Sequence, residues 1–598
     1  MMNAKQIAER ATMQSFLNCY LRECGDYTLR EVEGNDVYSC EMVIEKKLEH
    51  QGIVLHLPLR YLSETGRHLF SFPIYYENAE EKLIELDYLM VVNFIMRELQ
   101  LVYGRDDANE DELMLRVILS CQNIESYVSQ RLNEADELYG MDLNFIDAEQ
   151  SLIFGHLMHP TPKSRQGIAE WDAASYSPEL KGRFQLHYFR IHQSIIDEGS
   201  ALSQSTTALL MEEIKRDPSI SDAFKKTYCQ DDEYTILPLH PWQAEYVQRN
   251  PKITAFIENG LIESLGQFGR AYFPTSSLRT VYHPEAEYML KFSLNVKITN
   301  SVRANKYMEC KRGIEVKELM RGEIGTELNK RYPNFQVICD PAYATVSVNG
   351  EKESGFEVIV RENPFKANSG LNATPVAALC QDSIDGRTSR LVEIIKQLAI
   401  EENRSTEDVS LAWFNSYLDK TLNPILWLYF TYGIAVEAHQ QNSVIQLRGG
   451  YPEHFYYRDN QGYYFCESKH ESLNAILPGI SAESNTVCSD AIADERLRYY
   501  FFYNHLFGLM NAFGAGGLIE EERLLECLRE RLEHTVVPAS SASTLIRTLL
   551  HEQVLPCKAN LLTRFHDMDE LVGSLETQSV YVHVQNPLYK KELVGSEQ

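Results

Sequence analysis

Ten consecutive residues, Leu290–Thr299, alternate apolar and polar without a break. Leu290, Phe292, Leu294, Val296 and Ile298 fall on one side; Lys291, Ser293, Asn295, Lys297 and Thr299 fall on the other. A period of two over that length predicts one half-buried strand whose polar face meets solvent or a ligand. Around it, residues 270–303 hold five Lys/Arg against two Glu, in a chain whose formal net charge is −28. Cations gathered on one strand of an acidic protein point to an anion site. An ordinary solvated sheet face is the alternative this stretch leaves open. At about 3.3 Å per residue, the strand would set Lys291 and Thr299 roughly 27 Å apart, too far for one small ligand to touch both.

With 598 residues the chain exceeds what one core organises, and roughly two to four lobes are expected. A sequence pI near 5.1 excludes the basic footprint of a general nucleic-acid binder. The 12 Cys form no CxxC pair and no Cys/His cluster at zinc spacing, as expected of unpaired thiols in a reducing compartment. Glu9 and Arg10 interrupt the opening segment, so no secretory signal is read. Of two apolar stretches, Ile425–Val436 is too short for a membrane span, and Tyr499–Ile519 carries Asn504, His505 and Asn511. A cytoplasmic protein with no membrane segment is expected.

In chain order, residues 4–23 predict a helix, residues 40–44, 53–58 and 69–76 predict strands, and residues 80–138 predict helices. This first part offers no constellation that translates into chemistry. Polar density rises at GHLMHPTPKSRQG, residues 155–167. Pro160 and Pro162 stiffen an extended loop that would hold His159, Lys163 and Arg165 outward, to grip a carboxylate or phosphate; a structural turn is the competing reading. In LPLHPWQAEY, Pro241 suits a helix's first turn, and His240 and Trp242 read as packing. TSSLRT, residues 275–280, is a hydroxyl-rich turn with one fixed cation, suited to phosphate, and Lys291 can face the same ligand. Thr299, Asn300 and Ser301 supply N-cap residues for a helix that would carry Arg303 in its first turn. Residues 354–364 read as a strand ending at Arg361, and residues 373–381 and 391–400 as helices.

The second dense region is residues 435–459. An apolar helix over residues 424–438 would deliver Glu437, His439, Gln441 and Asn442 at its end. A strand at 443–447 follows, then a hairpin of 455–458 and 463–466 joined by DNQG, with Asp459 at the strand end. Kinase-like folds present an Asn and an Asp to the magnesium of ATP in this way, and Asn442 and Asp459 could supply hard oxygen ligands. A structural turn remains the alternative, and the protein-kinase catalytic base is missing. The glycines of AFGAGG follow no strand and precede no Walker Lys, so they form no phosphate-binding loop. Residues 557–567, CKANLLTRFHD, read as a late cationic helix with Lys558 and Arg564.

Taken together and in order, HPTPKSRQG, HPWQ, TSSLRT, LKFSLNVKITNSVR, VEAHQQN and YYRDNQG resemble the IucA/IucC family, the NRPS-independent siderophore (NIS) synthetases, over essentially the whole chain. AEQSLIFGHLMHPTPKSRQG, SPELKGRFQLHYFR and CKANLLTRF resemble the branch that joins citrate to spermidine in petrobactin biosynthesis. The resemblance implies an α+β, multi-lobed cupped-hand fold with kinase-like palm features: a thumb over 1–145, fingers over 146–390 carrying the strand 288–299, and a palm over 391–598. It implies a homodimer using ATP and Mg2+. A citrate carboxylate would attack the α-phosphate, and a polyamine would capture the adenylate as an amide, releasing AMP and pyrophosphate. It also implies residue roles. Ser277, Arg279, Thr280, Lys291, Glu437, His439, Gln441, Asn442 and Asp459 would bind ATP, with Asn442 and Asp459 on the metal. His159, Lys163, Thr299, Arg303 and Lys558 would bind citrate, and His159, Lys291, Arg303 and His439 would be catalytic. Thr299-Asn300-Ser301 departs from the adjacent hydroxyl pair expected there. A kinase-like phosphotransferase and a non-catalytic citrate binder are the rival readings.

Overall fold

The structure is a computed structural model that describes residues 2–32, 38–78, 80–104, 108–299, 301–386, 388–459, 461–568 and 579–590. The chain starts with the helix Ala4–Cys24, capped by Asn3 and Gln6 in a reciprocal pair. A six-stranded antiparallel sheet follows, and its last strand, Leu83–Leu86, precedes the helices Tyr88–Tyr103 and Ala108–Arg131. Phe16, Leu17 and Tyr20 pack there with Leu55, Leu57, Val91 and Ile95. Leu561, Leu562 and Phe565 enter the same core from the chain's other end. Their helix, Asn560–Phe565, is fastened by Glu23, which accepts the Leu561 and Leu562 N–H groups at 2.8 Å each.

The second layer is an eight-stranded antiparallel sheet. Its centre pairs Thr280–Tyr282, Tyr288–Phe292 and Val358–Glu362, placing Lys291 opposite both Thr280 and Ile359. The expected single strand over 290–299 is two. Tyr288–Phe292 belongs to this sheet, while Leu294–Ile298 joins a small sheet with Arg165–Gln166 and Ser301–Arg303. The break falls at Ser293, whose N–H donates to the Glu357 carbonyl at 3.0 Å and whose hydroxyl accepts the Asn305 N–H at 2.8 Å. The polar face divides with the strand: Lys291 and Ser293 are buried, Asn295, Lys297 and Thr299 are half-buried, and Lys291 and Thr299 border a cleft. The helix expected to start at residues 299–301 is also corrected. Thr299 takes φ +52° and closes a hairpin in which Ile298 pairs with Ser301; the helix begins at Tyr307, and Asn300 lies outside the described residues.

The third part is built on the buried helix Thr406–Tyr432, around Trp413, Phe414 and Tyr417. Gly433, left-handed at φ +69°, ends that helix earlier than expected, and Ile434–Val436 is a strand. Tyr451–Arg458 and Tyr463–Cys466 do not pair with each other. The first lies between Ser443–Arg448 and Phe335–Ile338; the second lies between Ile434–Val436 and Val487–Cys488. Asp459 turns the corner between these two sheets at φ +129°, a strained value for a side chain with a Cβ, and Asn460 lies outside the described residues. Residues 373–381 divide into a strand, Ala373–Pro375, and a helix, Val376–Cys380. Lys558 ends the strand Val554–Lys558 and does not sit on a helix with Arg564. All 12 cysteines are free, and among the described residues no helix is long and apolar enough to cross a membrane.

The glycine run has a packing role. A Cβ on Gly514 would lie 2.1 Å from the Tyr61 hydroxyl and 2.7 Å from Glu521 Cγ. Tyr61 and Ser63 both donate to Glu521 at 3.0 Å across that gap, so the bare backbone lets the first lobe seat on the third.

Candidate active site

A cleft of about 880 Å³ collects side chains from all three parts of the chain. Its wall includes His159, Lys163, Ser277, Arg279, Thr280, Lys291, Thr299, Arg303, Glu437, His439, Gln441, Asn442, Asp459 and Lys558. Every candidate residue therefore borders one cavity, although they span 400 positions from 159 to 558.

At the seam between the central sheet and the third part, Lys291 Nζ lies 3.0 Å from Asp459 Oδ1. Arg361 stands 3.9 Å from the same oxygen, while its fork grips Asp340 at 2.6 and 2.9 Å. Burial would push the Asp459 carboxyl up, but Lys291 and Arg361 override it and hold it well below the usual carboxylate range. Burial lowers Lys291, with Arg279 and Arg361 adding to the effect and Asp459 opposing it. Arg279 is likewise lowered by burial; it donates to the Arg303 carbonyl at 3.0 Å, Asn305 Oδ1 at 2.9 Å and Gln461 Oε1 at 2.7 Å. The 275–280 turn is closed by the Thr280 N–H on Ser277 Oγ at 3.2 Å. Gln441 reaches it by donating to Ser276 Oγ at 3.2 Å. Buried Glu149 bridges the same two regions, accepting the Ser276 N–H at 2.9 Å and pairing with Arg458 at 2.6 Å.

His439 sits in the turn after Ile434–Val436, where the Gln441 and Asn442 N–H groups donate to its Nδ1 at 3.2 and 3.4 Å. That assigns the proton of the neutral ring to Nε2. Desolvation, with neighbouring His156 adding to it, pushes this imidazole down to about 3. His159 has the same arrangement, its Nδ1 accepting the Thr161 N–H at 3.1 Å. Glu437 accepts from the Tyr464 hydroxyl, and burial raises its carboxyl. Asn442 donates to Asp459 Oδ2 at 3.4 Å. Arg303 donates to Thr299 Oγ1 at 3.1 Å, and Lys558 lies 5.8 Å from the ring centres of Tyr499 and Tyr500.

The outward-held loop at 155–167 is corrected. Lys163 is buried, its ammonium on Glu179 and on the Leu152 carbonyl at 2.6 Å, and Arg165 grips both Glu179 oxygens at 2.7 Å. His159 is buried as well. His240 and Trp242 pack as expected: His240 caps the helix Pro241–Gln248, and Trp242 donates to the Gly167 carbonyl at 3.1 Å. Among the described residues no group of three or more His, Cys, Asp or Glu could hold a metal. Asp459 and Asn442 could offer a hard cation no more than a pair of oxygen donors.

Several lining groups escape sequence reasoning. Arg22 and Arg67 come from the first lobe, Arg67 paired with Asp382, and neither sits in a chemistry-bearing motif. Arg361 shows in sequence only as a strand end, and Arg458 stands unassigned inside YYRDNQG. A basic residue closing a buried strand beside a motif is the signal that could have flagged both.

Residues 144–381 match the IucA / IucC family model, and residues 411–573 match the model described as ferric iron reductase FhuF-like transporter. A spermidine-citrate ligase of Bacillus anthracis is 50% identical, with 100% of each chain covered. The rhizobactin siderophore biosynthesis protein RhbC of Rhizobium meliloti is 38% identical, with 98% of each covered. Among solved structures, ATP-bound aerobactin synthetase IucA of Klebsiella pneumoniae superposes with a TM-score of 0.88 at 27% identity, covering 97% of this chain and 100% of that one. The petrobactin biosynthesis protein AsbB of Bacillus anthracis has a TM-score of 0.74 at 17% identity, covering 98% and 96%, and shares the fold.

Proposed function

The chain belongs to the IucA/IucC family, and from that premise we propose an ATP-dependent ligase that joins a carboxylate of citrate to spermidine through an amide. The observation that carries the reading is the single cleft bordered by Lys291, Arg303, His159, His439 and Lys558. Citrate and ATP together bring about seven negative charges, and a carboxylate meets the α-phosphate only where fixed cations screen that repulsion.

In this reading Ser277, Arg279, Thr280 and Lys291 hold the nucleotide phosphates, with Glu437, Gln441 and Asn442 beside them. Asp459 and Asn442 would hold Mg2+, which would neutralise phosphate charge when bound. Lys291, 3.0 Å from Asp459, would donate to a phosphate oxygen. Arg303, His159, Thr299 and Lys558 hold citrate, and Lys163 supports their loop through Glu179. His159 and His439, each with its proton assigned to Nε2, donate to oxygen anions without adding a full charge. One carboxylate oxygen bonds to the α-phosphorus as pyrophosphate leaves. An amine nitrogen then bonds to the acyl carbon as AMP leaves. Spermidine nitrogens ionise near pH 10, so the attacking amine must first lose a proton. The same family likeness supports a cytoplasmic homodimer.

The test is product analysis with ATP, magnesium, citrate and spermidine. AMP, pyrophosphate and a citryl-spermidine amide in equal amounts are expected. ADP as the nucleotide product would instead identify a phosphotransferase, and ligand binding without turnover would identify a citrate-binding module. A preference for a hydroxamate-forming or amino-acid amine would leave the ligase standing and remove spermidine.

A further inference from the structure

We propose that the first-lobe helix Ala108–Arg131 is the template that sets the geometry of the carboxylate-binding wall, with Arg116 as its principal positioning residue. The inference rests on the assignment of His159 and Arg303 to citrate. Nothing in the local sequence of this helix announces such a role, since its periodicity reads as an ordinary amphipathic element.

Two segments that are distant in sequence carry that wall: the loop 155–165 with His159, and the hairpin turn 298–303 with Thr299 and Arg303. They meet directly. Lys297 and Ile298 pair with Gln166 and Arg165, and the Thr299 N–H donates to the Ser164 carbonyl at 3.3 Å. Behind this junction, one face of the helix contacts both segments. Arg116 Nη1 donates to the Thr299 carbonyl at 3.2 Å. Ser120 Oγ accepts the Lys163 N–H at 3.0 Å, and Asn123 Nδ2 donates to the Lys163 carbonyl at 2.8 Å. Glu112 accepts from Arg116 Nε at 2.7 Å and from Gln166 Nε2 at 3.1 Å. The Tyr127 ring centre lies 5.5 Å from the Arg165 guanidinium.

Residues 112, 116, 120, 123 and 127 recur every three or four positions, which aligns them along one stripe of the helix. Arg116 and Ser120 are fully buried, so their donors and acceptors have no water to turn to. A buried guanidinium on the carbonyl of Thr299 has a local consequence. That residue holds φ +52°, and the contact fixes the tight turn that aims Arg303. The stripe thus fixes how far the Arg303 turn stands from the His159 loop, and these hydrogen bonds all go to that turn, to that loop and its neighbour Gln166, or stay within the stripe.

The test is Arg116→Gln, with Ser120→Ala as a smaller lesion and Arg116→Lys as the conservative comparison. We expect Arg116→Gln to raise the citrate KM about tenfold in citrate-dependent ATP–pyrophosphate exchange while the ATP KM stays within about twofold. Arg116→Lys should recover part of the loss and Ser120→Ala should shift the citrate KM less. A merely structural role would lower the yield of folded enzyme and move both constants together, and that result, or unchanged constants, would overturn the proposal. A crystal structure of Arg116→Gln decides the positioning independently of the reaction. Displacement of the 298–303 turn relative to the 159–165 loop is expected; coincidence with the parent would contradict it. Absence of citrate-dependent exchange in the parent enzyme would remove the citrate assignment, while the displacement would still judge the template.

Discussion

Two buried cation–carboxylate clusters border the same cleft, and their construction differs in a telling way. Lys291, Arg361, Asp340 and Asp459 are drawn together across the seam between two sheets, with Lys291 and Asp459 separated by 168 positions. Lys163 and Arg165 are local to Glu179, lying 16 and 14 positions before it. The Asp459 side chain remains 20% exposed toward the cleft, whereas Glu179 is 2% exposed. In the proposed reading, an incoming cation competes with Lys291 for Asp459 and frees the ammonium for an anion. Glu179 is sealed between its partners and has no such exchange. The two clusters thus differ in access: one opens on the cleft, and the other is sealed behind a loop.

The largest effect should appear on removing Lys291. Lys291→Ala is expected to depress citrate-dependent ATP–pyrophosphate exchange by about 10³-fold, the scale of losing an electrostatic group at a reacting phosphate. Its thermal stability should hold, because Arg361 stays beside Asp459. Parallel exchange and melting measurements check this; an unstable but active Lys291→Ala would invert the comparison.

Glu179→Gln should act in the opposite sense, costing about 3–5 kcal/mol of stability by leaving two buried cations without their carboxylate. The contrast sharpens with pH. Burial would raise the Glu179 carboxyl, but Arg165 and Lys163 bring it down to about 2 from an ordinary 4.5. A depressed folded value means that its stabilisation is complete above pH 4.5 and is lost as pH falls from 4.5 to about 2. Urea denaturation at pH 6 and pH 3 should therefore show the gap between parent and variant narrowing in acid. A constant gap would mean that the pair does not brace the loop.

What the sequence conveyed follows from the range of the forces involved. Alternation around Lys291 is a local signal, and it located a central strand and the cation on it. The break at Ser293 depends on Glu357 and Asn305, which no local pattern reveals. Gly433 is a local helix stop inside the expected helix 424–438, and His439 occupies a turn after a strand instead of that helix's end. The DNQG segment looked like a hairpin because its flanks are both strand-like; only tertiary pairing sends them to separate sheets. The prolines beside Lys163 allow either an outward loop or a structural turn, and Glu179, 16 positions on, draws the ammonium inward. The contributions of Arg22, Arg67 and Arg116 were invisible, since a helix periodicity gives a buried face without naming the distant loop it meets.

Whether the cleft brings a citrate oxygen onto the α-phosphorus can be read from isotope transfer. With citrate carrying ¹⁸O in its carboxylates, turnover with ATP and spermidine should yield AMP bearing one ¹⁸O in its phosphate, because the attacking oxygen leaves with AMP when the amine displaces it. Unlabelled AMP, or label recovered in inorganic phosphate alongside ADP, would contradict attack at the α-phosphate.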